Sequence, residues 1–221
     1  MAKPRILYIT EEITPYLPDS ANARLGRDLP VMSQGGYEVR IFMPRFGTIN
    51  ERRNQLHEVI RLSGMNISIA DTDHPLIIKV ASMHPSRIQV YFVDNDDYFQ
   101  KSDTDVDAVG SNREDNDERI IFFSRGTADT ARKLRWEPDI LHVSGWISSL
   151  VPLYAKRVFA DGTSFKNTKT VYSLLDEAPI APLCDKFLAK LRADGVSDKD
   201  LDMFGNEAPD TNILHKIAIA Y

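Results

Sequence analysis

Cysteine is nearly absent: Cys184 stands alone among 221 residues, so no intrachain disulfide can form and a secreted, disulfide-stapled scaffold is excluded. No cysteine signature surrounds it, and it is read as a small buried or half-exposed thiol in preference to a nucleophile. Long apolar runs are missing too. None approaches the roughly 18 residues of a membrane span, and MAKPRILYIT turns from a basic start straight into a strand-like run with no signal-peptide core. The expectation is a cytoplasmic chain that is neither exported nor membrane-embedded. Excess positive charge is also lacking: 27 Lys and Arg against 32 Asp and Glu leave a net charge of -5. That gives no footing for nucleic acid, which is bound through clustered cations.

Glycine-rich phosphate cradles are absent. No GxGxxG follows the first strand-like run and no GxxxxGKS or GxxxxGKT occurs, so neither a dinucleotide nor a P-loop triphosphate site is supported and no cofactor is expected. The acidic stretch from Asp94 to Asp117 lacks the regular ligands and terminal Glu of a calcium loop, so no metal is expected either. It reads instead as a solvated, mobile loop.

What is present is the composition of a folded globule, 43% hydrophobic and 27% charged, in a length that suits one α/β domain. Arg5 to Thr10 reads as a buried strand, followed by a loop with Pro15 and Pro18 and a helix from Ala21 to Gln34 that Gly35 and Gly36 stop. Tyr37 to Met43 reads as the second strand, and Glu58 to Ile69, Leu76 to Ala81 and Ile88 to Val93 make a β-rich middle. A strong helix follows, capped by Asp115 or Asn116, with Ile120, Phe123, Thr127, Ala131 and Leu134 on one face. After Pro138 come a strand over Asp139 to Ser144, a helix over Trp146 to Phe159 and a strand over Thr170 to Leu174. This β-α-β-α-β alternation predicts a Rossmann-like, mainly parallel sheet with helices on both faces. Ligands meet such sheets at the carboxyl ends of strands, which selects the loops Glu11 to Gly26, Asp94 to Phe99, Ser144 to Ile147 and Leu175 to Pro182.

The same segments resemble bacterial glycogen and starch synthases. RILYITEEITPY is similar to that family's opening, GGYEVRIFMPRFG to its second strand and turn, YFVDNDDYF to its YFVDNPxYF segment and DNDERIIFFSRG to its DN-x-x-RF-x-FF helix. WEPDILHVSGWISSLVPLYAK, KTVYSL and TNILHKIAIAY continue the match in order. The resemblance implies the N-terminal half of a two-domain GT-B glycosyltransferase that transfers glucose from ADP-glucose to an α-1,4-glucan with retention. It implies that residues 1–221 form that N-terminal domain alone, without the C-terminal domain that holds most nucleotide-binding groups, and that a partner chain would have to supply a second domain. The chain stops at Tyr221 inside an apolar helical pattern, as a truncated chain would.

Three departures from the family fall in its cleft loops. Its Lys-Thr-Gly-Gly aligns with Pro18, Asp19, Ser20 and Ala21, where Asp19 repels donor phosphates that the lysine would neutralise. Its HxHDWH aligns with His142, Val143, Ser144, Gly145, Trp146 and Ile147, and Ile147 cannot hydrogen-bond a sugar. Its His-Asn pair aligns with Leu175 and Asp176. The expectation is a degenerate site with no catalytic residue retained; the alternative is a non-catalytic glucan-binding or regulatory protein of glycogen metabolism.

The remaining cleft candidates are Glu12, Tyr16, Asn95, Tyr98, His142 and Trp146, with Glu11 and Asp94 beside them. The two glutamates either bind sugar hydroxyls or are solvated. Tyr16, Tyr98 and Trp146 either stack on glucose rings or pack in the core. His142 either faces the cleft or satisfies backbone groups at the end of a buried strand. Arg119 is expected to pair with an acid and so fix its helix.

Overall fold

The computed structural model describes residues 2–100, 107–176, 179, 181–204, 209 and 211–221. Among the described residues, eight strands form the sheet system: β1 (Arg5–Ile9), β2 (Glu38–Pro44), β3 (His57–Glu58), β4 (Met65–Ile69), β5 (Thr72–Met83), β6 (Ile88–Asp94), β7 (Ile140–Ser144) and β8 (Lys169–Ser173). Their order is β3-β5-β6-β2-β1-β7-β8, with β4 paired to β5. The five strands β6-β2-β1-β7-β8 are all parallel, and β5 runs antiparallel to β6. Apart from the edge strand β8, the parallel strands are apolar because both faces are covered: Leu7, Ile41, Phe42, Val90, Phe92, Leu141 and Val143 are all buried.

The α-helices among the described residues are α1 (Ala21–Ser33), α2 (Asn116–Lys133), α3 (Val151–Leu153), α4 (Phe187–Ala193), α5 (Asp198–Leu201) and α6 (Thr211–Ala220). Helix α1 covers one face, where the Tyr8 and Ser33 hydroxyls share a hydrogen bond of 2.6 Å. The opposite face carries α2, which lies so close that a β-carbon on Gly126 would stand 2.9 Å from Leu76 Cδ1. Among the described residues no helix is long and apolar enough to cross a membrane.

The α/β alternation and parallel sheet follow the sequence expectation, and several local expectations need correction. The run Glu58 to Ile69 is two strands, β3 and β4, because the chain turns between them and both pair with β5. The helix expected from Trp146 starts five residues late. Gly145 has φ +85°, residues 146–150 form tight turns such as Ser149 N–H to Trp146 C=O at 3.2 Å, and the one-turn α3 runs directly into a π-turn over Tyr154–Val158. Asp115 does sit at the cap position of α2, but its side chain makes no cap bond. Its carboxylate is held instead by Arg113, at 2.8 and 2.5 Å. The described part of the 94–117 stretch is solvated only in part: Asp96, Asp97, Asn112 and Glu114 are exposed, while Asp94, Asn95, Tyr98, Phe99, Asn116 and Asp117 are buried. Residues 101–106 of that stretch lie outside the described residues.

Candidate functional site

Sheet order diverges at β1: the chain goes to β2 on one side and later returns to β7 on the other. The carboxyl ends of β1 and β7 therefore flank a topological switch point, the place where open α/β sheets hold ligands. Three segments meet the ends of the central strands: residues 10–20 after β1, residues 144–150 after β7, and residues 174–176 after β8.

Glu11, immediately past β1, is 1% exposed. Its carboxylate accepts the Ile147 N–H at 3.3 Å and lies against Gly145, where an added β-carbon would be 2.6 Å from the carboxyl carbon. The glycine is thus required twice, for its positive φ and for the missing side chain. Glu11 is neither solvated nor open to a sugar; it braces the turn after β7. Tyr172 on β8 is held above the ordinary phenol value, by burial first and by the Glu11 charge second, and it shares a 2.8 Å hydrogen bond with His215 of α6.

Glu12 is half-buried and accepts the Ser20 hydroxyl at 2.6 Å. Ser20 in turn caps α1, its oxygen accepting the Ala23 N–H at 2.9 Å. Asp19 makes a two-point pair with the Arg24 guanidinium, at 2.8 and 2.5 Å, which together hold its carboxyl below the usual range. The helix N-terminus, a place suited to a phosphate, therefore has two carboxylates and a cap of its own around it. The β1 loop is pressed onto this helix, since a β-carbon on Gly26 would stand 2.1 Å from the Glu12 carbonyl oxygen.

His142 shares a 2.8 Å hydrogen bond between Nε2 and the Ser173 hydroxyl and packs its ring 4.9 Å from that of Tyr8. Its partner is thus a side chain on β8, not the backbone. Burial pushes its pKa down. Ile147, at the position where a histidine was expected to hold the sugar, is wholly buried. Leu175 is half-buried and Asp176 exposed.

The aromatic candidates lie in the core. Trp146 is 1% exposed and Tyr98 2%, with Tyr98 packed on Phe122 and His74 at ring separations of 5.3 and 4.6 Å. The Tyr98 hydroxyl donates to Glu118 at 3.0 Å. Burial and the Glu118 charge raise its pKa well above the phenol value. Tyr16 sets its ring edge-on to Phe92 at 5.0 Å, and burial pushes its hydroxyl up to about 12. Asn95 is a loop brace: its amide donates to the Pro75 carbonyl at 2.9 Å and its oxygen accepts the Asp97 and Tyr98 N–H groups.

Arg119 holds a loop in place and, among the described residues, forms no ion pair with the acidic partner expected of it. Its guanidinium donates to the carbonyls of Tyr98, Val109 and Gly110 and to Asn116 Oδ1, at 2.6 to 3.0 Å, and burial lowers its pKa to about 10. Sequence reasoning missed a second polar cluster. Asp94 accepts Lys79 Nζ at 2.7 Å and the Gln100 amide at 3.0 Å, while Glu51 accepts Lys79 at 2.7 Å and also pairs with Arg45. The available signal was charge at the ends of apolar strands, Lys79 within β5 and Arg45 just after β2. Cys184 is half-exposed. No group of three His, Cys, Asp or Glu residues that could hold a metal occurs among the described residues.

Residues 5–178 match the family described as starch synthase catalytic domain. The glycogen synthase of Chlorobium luteolum is 36% identical over 195 residues, 87% of this chain and 40% of that protein. The glycogen synthase of Chlorobium phaeovibrioides is 34% identical over 213 residues, 96% of this chain and 43% of that one. Among solved structures, the catalytic domain of starch synthase IV from Arabidopsis thaliana, bound to ADP and acarbose, superposes with a TM-score of 0.62 at 15% identity. That match covers 78% of this chain and 34% of the other, and at this identity it speaks for the fold alone. The chain spans about two fifths of the length of these curated relatives.

Proposed function

Because the chain belongs to the starch synthase catalytic domain family, we propose that it is a synthase-type glycosyltransferase domain with a degenerate donor site, which does not by itself transfer glucose from ADP-glucose to an α-1,4-glucan. The observation that carries this reading is the N-terminus of α1, capped by Ser20 and flanked by the Glu12 and Asp19 carboxylates. Donor phosphates brought there would meet like charge and a helix end whose Ala23 N–H is already used. The burial of Ile147 supports the same reading, since no side chain at that position reaches a sugar. In this proposal the donor-binding half of a working transferase comes from outside residues 1–221, on a partner chain or a further domain, and a glucan is the ligand left to this one.

Calorimetric titration of the chain with ADP-glucose and, separately, with maltooligosaccharides tests it, together with transfer of labelled glucose to a maltooligosaccharide acceptor. The expected result is no saturable heat with ADP-glucose at millimolar concentration and no transfer. Saturable ADP-glucose binding or measurable transfer would overturn the reading. Heat from maltooligosaccharide alone selects the alternative of a non-catalytic glucan-binding or regulatory protein.

A further inference from the structure

Away from the helix cap, a pocket of about 350 Å³ opens between the first loop and the strands β3 and β5. Its polar lining comes from Tyr16, from residues 53–55 (Arg, Asn and Gln) and from His57, Ser82 and His84, and no Asp or Glu is among the described residues that line it. In a chain with 32 acidic residues and a net charge of -5, a concavity that holds the Arg53 guanidinium and no carboxylate among its described lining residues is a local reversal of charge. The neighbouring acid that could neutralise it, Glu51, is engaged by Arg45 and Lys79. Among the described residues Arg53 has no ion-pair partner.

Tyr16 supplies the second observation. It is 7% exposed, its ring is fixed on Phe92, and its hydroxyl has no hydrogen-bond partner among the described residues although it lines the pocket. A buried hydroxyl usually finds a partner; here the free side is the pocket. The volume falls within the range of small-molecule sites. Charged donors suit an anion, while the Tyr16 and Ser82 hydroxyls and the Gln55 amide suit neutral oxygens of the same molecule.

We propose that this pocket binds a small phosphate monoester whose remainder carries hydroxyl groups, with Arg53 and His84 on the phosphate and Tyr16, Gln55 and Ser82 on the hydroxyls. The pocket shares Pro15 and Tyr16 with the loop after β1 but takes the rest of its lining from β3, β5 and the segments beside them, and it does not rest on the glycosyltransferase reading. It joins the first loop to β5, so its occupancy would be felt at the loop that carries Glu11 and Glu12.

The test is a titration of the isotopically labelled chain with a hexose monophosphate, inorganic phosphate and free hexose, followed by amide chemical shifts. Saturable shifts are expected around Tyr16, residues 53–57 and residues 82–84, with hexose monophosphate binding more tightly than phosphate and free hexose silent. Arg53→Gln and His84→Gln, both at exposed positions, should each weaken binding about tenfold or more, the size of a lost charged hydrogen bond. Tyr16→Phe keeps the ring on Phe92 and should weaken the hexose monophosphate more than phosphate. No saturation, shifts centred elsewhere, or unchanged affinity in the Arg53 and His84 variants would overturn the site. Equal affinity for phosphate and hexose monophosphate would overturn the role given to the hydroxyls.

Discussion

Gly145 combines φ +85° with a side-chain position already filled by Glu11. Gly145→Ala should therefore destabilise the fold by about 1–3 kcal/mol, through strain at positive φ and overpacking together, seen as a lower denaturant midpoint. Glu11→Gln keeps the volume and should relieve little of that cost. At His142 the effect is one of pH. Burial holds the folded-state pKa below the ordinary value of about 6.5, so on acidification the unfolded chain takes up the proton first. Stability should fall as pH drops through the range just below that value, and levels off once the folded imidazole is also protonated. His215 is lowered in the same way, so His142→Gln should remove only part of the slope in chemical denaturation followed between pH 7 and 5. At this scale the sequence was informative about which loops meet but not about what their side chains do. Glu11, Tyr98 and Trp146 are functional in type and buried in fact, because burial depends on what other parts of the chain bring over them: Ile147 reaches Glu11 from 136 residues away, and Tyr98 packs on His74 and Phe122.

Among the elements, α2 depends on Arg119. Replacing it with Met leaves the carbonyls of Tyr98 and Val109 without this donor and that of Gly110 with the Arg113 N–H alone, and each unmade buried bond costs about 1–3 kcal/mol. The expected loss is roughly 3 kcal/mol or more in denaturant unfolding, with hydrogen exchange accelerated first in residues 107–113. Gly26→Ala tests α1 similarly. With only 2.1 Å available to a β-carbon, helix and loop must part, and the variant should unfold earlier despite alanine's better helix propensity. The long elements were legible because their apolar periodicity is carried by many residues: β1, β2, β6 and α2 lie within a residue or two of expectation. The segment 146–159 was not. Residues 146–155 are all buried, Ser148 and Ser149 included, which suits any buried backbone, and the departure from the helix is set locally by the turn at Gly145.

For the whole molecule, the sheet predicts a graded response. Strands β1, β2 and β6 each have neighbours on both sides, while β3 and β8 end the row, and Val171 on β8 is 44% exposed. Native-state hydrogen exchange should find the slowest amides in β1, β2 and β6 and faster ones in β8. Equal protection across all strands would contradict this. The fold class was readable from the order of elements because right-handed crossovers leave few arrangements; the antiparallel excursion through β3, β4 and β5 was not, since its pairing is made across turns with no strong glycine signal. The central place of β1 also sets a timetable. Its second neighbour, β7, begins 131 positions after β1 ends, at Ile140 following Ile9. During synthesis at about 5–20 residues per second, one edge of the first strand made therefore waits on the order of 10 s for its partner to leave the ribosome.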